Sequence, residues 1–363
     1  MRRYRTGGRL PHAMLISGPA GTGKMMLARA FAQYLHCENP RDGEPCGECR
    51  HCRLHHELTH PDLHFIYPIV KNKSKGVSVS ADKADAWHKM LTQYPAMPED
   101  RWLDLVEAGN SQTSIYVEEA ADIVRADSFP AFAATKKIFL IWLPERMNRE
   151  AANKLLKVIE EPSETTLFLM VSNNELGILP TIFSRVQRLH APLLSEADIA
   201  DYLQRHHSLS PQEATRIARI SEGSIIRAEE LGGAAGENDE FRSIYQDVMR
   251  SAYAVRPARL RAHADSVAAF GREKIKRFFA YMARMLRENY IYNLHMPQLV
   301  ALTPEEEEFS RRFAPFINSA NVEDFLSAID QAGTDIARNG NSKLVLFDLF
   351  SRIIGYVRRK EKR

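Results

Sequence analysis

Apolar positions in the first half of the chain alternate between short continuous runs and helical stripes. Residues 13–17, AMLIS, predict a short buried strand that runs into a glycine-rich loop. A helix follows over roughly 23–36, with Leu27, Phe31 and Leu35 at helical spacing. A cysteine-rich stretch interrupts the rhythm, and DLHFIYPIV (62–70) reads as a strand again. Residues 71–113 are polar and irregular at first, then helix-like around Trp87–Tyr94 and Arg101–Ala108, as in a variable insertion. The alternation then resumes. VEEAADIVRA (117–126) predicts a helix and KIFLIWL (137–143) a strand. NREAANKLLKVIEE (148–161) predicts a helix stopped by Pro162, and TLFLMVS (166–172) another strand. Nearly all-apolar strands alternating with helices imply an α/β fold, a parallel sheet covered on both faces.

From about Ser195 the strand pattern stops. A small helical domain is expected over 195–236, closing at a loop near Gly232–Gly236, and an all-α domain over 237–363. The last helix presents Leu344, Leu346, Phe347, Phe350, Ile353, Ile354 and Val357 as a wide apolar face, and its RRKEKR tail reads as a solvated end.

Composition changes this picture little. The 363 residues are 44% hydrophobic and 26% charged, with net charge +3, too near neutral to argue for nucleic acid by itself. No run of eighteen apolar residues spans a membrane, and the basic N-terminus lacks the cleavage site of a secretory signal. A cytoplasmic protein is expected.

All four cysteines, Cys37, Cys46, Cys49 and Cys52, fall within sixteen residues, spaced C-x8-C-x2-C-x2-C. In a reducing compartment this spacing points to a closed, structural four-cysteine zinc site rather than disulfides. The plain alternative is four free thiols in a surface loop. His51, His55, His56, His60 and His64 lie close by and could replace a cysteine, but read as solvated helix-face residues.

Residues 18–25, GPAGTGKM, place Gly18, Gly21, Gly23 and Lys24 between a strand and a helix, where a phosphate loop must sit. The hydroxyl that should hold magnesium is Met25. At the end of IFLIWLPE, where acids should complete the metal site, stand Trp142 and Leu143, with Glu145 displaced beyond Pro144. The residues argue for weak nucleotide binding at most, and for no turnover.

Several segments together resemble the clamp-loader branch of the AAA+ ATPases, the loader subunits of bacterial DNA polymerase III. They are GRLPHAMLISGPAGTGK (8–24), the cysteine module, HPDLHF (60–65), ERMNREAANKLLKVIEEPSETTLFLMVSN (145–173), LPTIFSRVQRLH (179–190), EGSIIRA (222–228) and ARNGNSKLVLFDLF (337–350). The resemblance implies an AAA+ domain over 1–194 with an inserted zinc module at 37–52, a helical lid and a collar that assembles a ring. It puts Ser172 and Asn173 at the sensor 1 position and Arg227 at the sensor 2 arginine. Ser184 and Arg185 match the Ser-Arg-Cys motif, with Val186 for the cysteine. The family's opening also implies a helix before Gly7-Gly8; its absence would weaken nucleotide binding or reflect a mis-set start codon. In gamma-type members the catalytic groups are intact, whereas in delta-prime-type members they are commonly degraded and the arginine finger is kept. The losses at Met25, Trp142 and Leu143 fit the delta-prime type. The implied role is a non-hydrolysing subunit that donates Arg185 in trans to a gamma/tau-type neighbour. It would assemble with that neighbour and a delta subunit, and help to load the sliding clamp on primer–template DNA. Arg146, Arg149, Lys154 and Lys157 would track DNA backbone or form a solvated face. An active gamma/tau-type ATPase with unusual magnesium ligands is the alternative.

Overall fold

The computed structural model describes residues 10–72, 74, 76–109, 111–207, 209–233, 235–294, 300 and 302–359, without the side chains of 233 and 235–238. Gly7-Gly8 and the end of the basic tail lie outside these. The chain divides into two compact units, Met1–Ile199 with Ser221–Ala228, and Ala200–Ile220 with Glu229–Arg363.

The first unit is built on five strands: β1 (Ala13–Ser17), β2 (Leu63–Ile66), β3 (Lys137–Trp142), β4 (Thr166–Ser172) and β5 (Gln187–His190). They form one parallel sheet in the order β2-β3-β4-β1-β5. Side chains alternate across it with period two. Met14, Ile16, Ile138, Leu140, Leu167 and Leu169 pack with Met25, Ala28, Phe31 and Ala32 of α1 (Lys24–His36). Ala13, Leu15, Phe139, Ile141, Phe168 and Met170 meet α5 (Val117–Asp127) and α6 (Arg149–Glu160) on the other face. Asn148 caps α6, its side chain accepting from Ala151 N at 2.8 Å. Both faces of β1, β3 and β4 are thus covered, as their all-apolar runs required, whereas Gln187, Arg188 and His190 of the edge strand β5 are exposed.

Two expectations are corrected. Leu27 is 47% exposed, because the buried stripe of α1 runs through Met25, Ala28 and Ala32 instead. β2 ends at Ile66 rather than Val70. Pro68 has no N–H for the ladder, and Ile69 turns away to bridge Ser114 in antiparallel fashion. The helix-like pieces expected within 71–113 are present. They are α3 (Ala84–Gln93) and α4 (Glu99–Leu105), which bring Trp87 and Trp102 onto the sheet beside Trp142.

These are all three tryptophans of the chain. Trp87 and Trp102 meet edge to face at 5.4 Å, Trp102 and Trp142 at 6.1 Å, and Tyr67 stacks on Trp87 at 4.1 Å. Trp102 Nε1 donates to Pro68 O at 2.7 Å. Such aromatic pairs add roughly 0.5–1.5 kcal/mol each beyond the area they bury. The residue standing where an acid was expected is therefore a packing element that holds the insertion in place.

Helices α8 (Glu196–His207), α9 (Pro211–Ile220) and α10 (Ile225–Gly233) occupy the expected helical stretch after the sheet. The loop expected near Gly232–Gly236 is helical up to Gly233 and again from Ala235, the start of α11 (Ala235–Tyr253). Gly232 belongs in α10 because a Cβ there would lie 3.3 Å from Leu209 and 3.6 Å from Ile217. The second unit continues through α12 (Pro257–Ala268), α13 (Arg272–Asn293), α14 (Pro304–Phe313), α15 (Val322–Ala337) and α16 (Ser342–Val357). Leu346, Phe350, Ile353 and Val357 of α16 enter its core, whereas Leu344 is 69% exposed, off the buried stripe. Among the described residues no helix is long and apolar enough to cross a membrane.

Trp142→Ala should lower the unfolding free energy by ~3–5 kcal/mol, measured by urea denaturation followed by circular dichroism, with Trp142→Phe losing less than half of that. Trp142→Asp should cost at least as much as the alanine variant, since a carboxylate would then be buried among apolar rings.

Candidate functional site

The loop between β1 and α1 lies at the carboxyl edge of the sheet, where open α/β sheets bind ligands. Its lysine is turned inward: Lys24 is 4% exposed, Nζ donates to Pro19 O, and Thr22 Oγ1 lies 3.3 Å away. Burial lowers the Lys24 pKa to about 8, opposed by the charge of Glu145. Met25 is 3% exposed in the core of the sheet. No oxygen therefore stands at the magnesium position of the loop.

Gly21 carries the decisive contact. It has φ +82°, and a Cβ on it would sit 2.1 Å from Ser224 Oγ and 3.1 Å from Ile226 N. Gly21 O accepts from Ile225 N at 2.8 Å, and Ala20 O from Ser224 Oγ at 3.3 Å. The loop thus makes a close contact with the chain's own segment 221–228. Sequence spacing carries no signal for this closure, because Ser224 arrives from two hundred residues away.

At the ends of β3 and β4, Leu143 is buried with φ +55°. Glu145, set aside as too late in the sequence, is folded back to the sheet edge. Its Oε1 accepts from Asn173 N at 2.9 Å and Asn174 N at 3.1 Å, while Oε2 is buried with no partner. Burial raises its pKa. Ser172 is fully buried and its Oγ accepts from Asn174 N at 3.0 Å. At this edge one Glu145 oxygen is taken by two backbone amides, the other is buried without a partner, and Glu175 accepts from the Ser17 hydroxyl.

Arg185 follows α7 (Pro180–Phe183) at the start of the turn into β5. Its side chain is 32% exposed. Nε pairs with Glu160 at the end of α6, and Nη1 donates to Thr181 O at 2.9 Å and Ser184 Oγ at 3.1 Å. Three partners on two elements orient the guanidinium while leaving it at the surface. Arg227 instead pairs with Glu222 at 2.6 Å, within its own segment. Of the basic residues near α6, Arg146 is engaged by Glu99, whereas Arg149, Lys154 and Lys157 are exposed.

The four cysteine sulfurs lie within 4.8 Å of one another. Cys46 N, Cys49 N and Cys52 N donate to Cys37, Cys46 and Cys49 Sγ at 3.2, 3.4 and 3.4 Å. Amide bonds from Cys49 and Glu48 hold the Cys46 thiol down at about 6, whereas burial pushes Cys52 up to about 12. The converging sulfurs and their amide donors fit a tetrahedral thiolate set with no open position. The histidines differ from expectation. His51, His55 and His60 are 4–8% exposed and pack with His36, because α2 (Arg50–His56) lies against the end of α1; His56 is solvated. Burial lowers His36 to about 3, His55 to about 2 and His60 to about 4.

A family model described as DNA polymerase III, delta subunit, matches residues 1–194. The chain belongs to that family. It is 32% identical over 230 residues to the DNA polymerase III subunit delta' of Pseudomonas aeruginosa, covering 62% of this chain and 58% of that protein. It is 26% identical over 223 residues to the subunit tau of Escherichia coli, covering 60% and 28%. Among solved structures, a gamma subunit-related protein of Thermotoga maritima matches with TM-score 0.47 and 15% identity over 96% of this chain and 95% of that one. The chain spans 54–58% of the length of the delta-prime relatives it matches.

Gly21→Ala should destabilise the first unit by ~1–2 kcal/mol through backbone strain alone. Combining it with Ser224→Gly should relieve the steric part and leave that strain, as read by denaturant unfolding.

Proposed function

We propose that this chain is a non-hydrolysing clamp-loader subunit of DNA polymerase III. The observation that carries the reading is the closure of the phosphate loop by the chain itself, with Gly21 against Ser224 and Met25 and Trp142 in the core. An oriented arginine survives outside that closed loop. Arg185 would reach the ATP site of a gamma/tau-type neighbour, where a finger is worth ~10³–10⁵ in rate. Residues 1–194 act as the AAA+ domain, 195–236 as a lid and 237–363 as a collar that joins the gamma/tau-type and delta subunits in a ring. The complex opens the sliding clamp and places it on primer–template DNA in the cytoplasm. The exposed Arg149, Lys154 and Lys157 offer the backbone a basic face. The four-cysteine set would hold a structural zinc ion, which supplies no catalysis and ties the end of α1 to the start of α2.

A second reading, an active ATPase, is favoured by Glu145, whose buried Oε2 has no partner and whose charge acts on Lys24. It requires Lys24 to leave Pro19 O and the 221–228 segment to lift. Burial of Met25 weighs against it, since nothing replaces the missing magnesium ligand.

In a loader reconstituted with its partners, Arg185→Ala should lower DNA- and clamp-stimulated ATP turnover at least a hundredfold with assembly intact. The isolated chain should show no turnover. Equal rates for mutant and parent would leave this chain a scaffold only, and turnover by the chain alone would favour the second reading.

A further inference from the structure

Four histidine rings are gathered under the cysteine module. His36 closes α1, immediately before Cys37; His51 and His55 lie on α2; His60 precedes β2. His36 and His60 stack with centroids 4.2 Å apart, His55 lies 5.0 Å from His36 and 4.8 Å from His60, and His51 lies 5.0 Å from His60. One donor nitrogen from each of His36, His55 and His60 falls within 4.8 Å of the other two, and all three side chains are buried.

We propose that His36, His55 and His60 form a second metal site, distinct from the four cysteines, for a borderline divalent cation of the zinc class. Imidazole nitrogen is the ligand such ions share, and three converging imidazoles with a fourth position for water are a common donor set for them. His36 is already oriented as a ligand would be. Its Nε2–H donates to Lys136 O at 2.9 Å, which leaves the Nδ1 lone pair facing the cluster. That Nδ1 lies 2.8 Å from His55 Nε2. Two ring nitrogens at this distance share a single proton, which a cation between spread rings would replace.

The surroundings define what else contributes. Asp62 is not a ligand, since its carboxylate accepts from the amides of Phe132, Ala133 and Ala134 at 2.5, 2.7 and 2.8 Å. His51 Nδ1 lies 2.8 Å from His60 Nε2 and its own Nε2 faces Glu38 at 3.5 Å, so it flanks the trio. Without metal the same rings form two hydrogen-bonded chains, one from His55 through His36 to Lys136 O, the other from Asp62 N through His60 to His51. A cation would replace these with bonds that tie the end of α1, α2 and the approach to β2 to one point, next to the Lys136 carbonyl that precedes β3.

The full chain should be stripped, reloaded with zinc and studied by X-ray absorption at the zinc edge together with elemental analysis. The proposal predicts two zinc ions per chain and a mixed first shell, sulfur at about 2.3 Å and nitrogen at about 2.0–2.1 Å. His55→Gln with His60→Gln should reduce the count from two to one and leave an all-sulfur shell, with helicity unchanged by circular dichroism. Cobalt loading supplies a readout that does not depend on those variants. The parent should take two equivalents, only the first giving thiolate charge-transfer absorption. One zinc per chain in an all-sulfur shell, or saturation by a single cobalt equivalent, would overturn the site and leave the histidines as a hydrogen-bonded cluster.

Discussion

Gly21 stands so close to Ser224 that no side chain atom fits between them, and much of the site follows from that contact. A loop whose amides are to surround phosphate must stay open on the side where the ligand enters. Here residues 221–228 lie against the loop, held by an amide bond from Ile225 to Gly21 O and by the Ser224 hydroxyl on Ala20 O. Lys24 Nζ donates to the loop's own Pro19 carbonyl, and its burial lowers its basicity. Gly21 has a structural reason of its own: it lets two distant segments of one chain touch.

The same logic runs through the neighbouring positions. A thioether at 25 and an indole at 142 are apolar partners for the sheet. Met25 packs in the core between α1 and the sheet, and Trp142 is the platform on which Trp87 and Trp102 of the insertion close. Arg185 lies outside this packing, oriented at the surface by Glu160, Thr181 and Ser184.

Much of this was legible in the order of residues. The runs at 13–17, 137–142 and 166–172 could only be buried strands, and the losses at Met25, Trp142 and Leu143 were plain without coordinates. Packing within a helix was less so: Leu27 and Leu344 match the spacing of their neighbours but fall off the buried stripe, because a helix with several apolar residues admits more than one face. The helices within 71–113 were legible around Trp87 and Arg101, but not that both tryptophans would pack on Trp142 of a distant strand. Ser224 over Gly21, Glu160 beside Arg185 and His36 beside His55 are products of tertiary contact between separate elements, and no local pattern marks them.

Equilibrium dialysis of magnesium–ATP against the isolated full chain tests the closed loop most directly. The account predicts no saturable binding at millimolar nucleotide, for the parent chain and for Lys24→Ala alike. Saturable binding at micromolar nucleotide that Lys24→Ala abolishes would mean that residues 221–228 open to admit a ligand, and would contradict it.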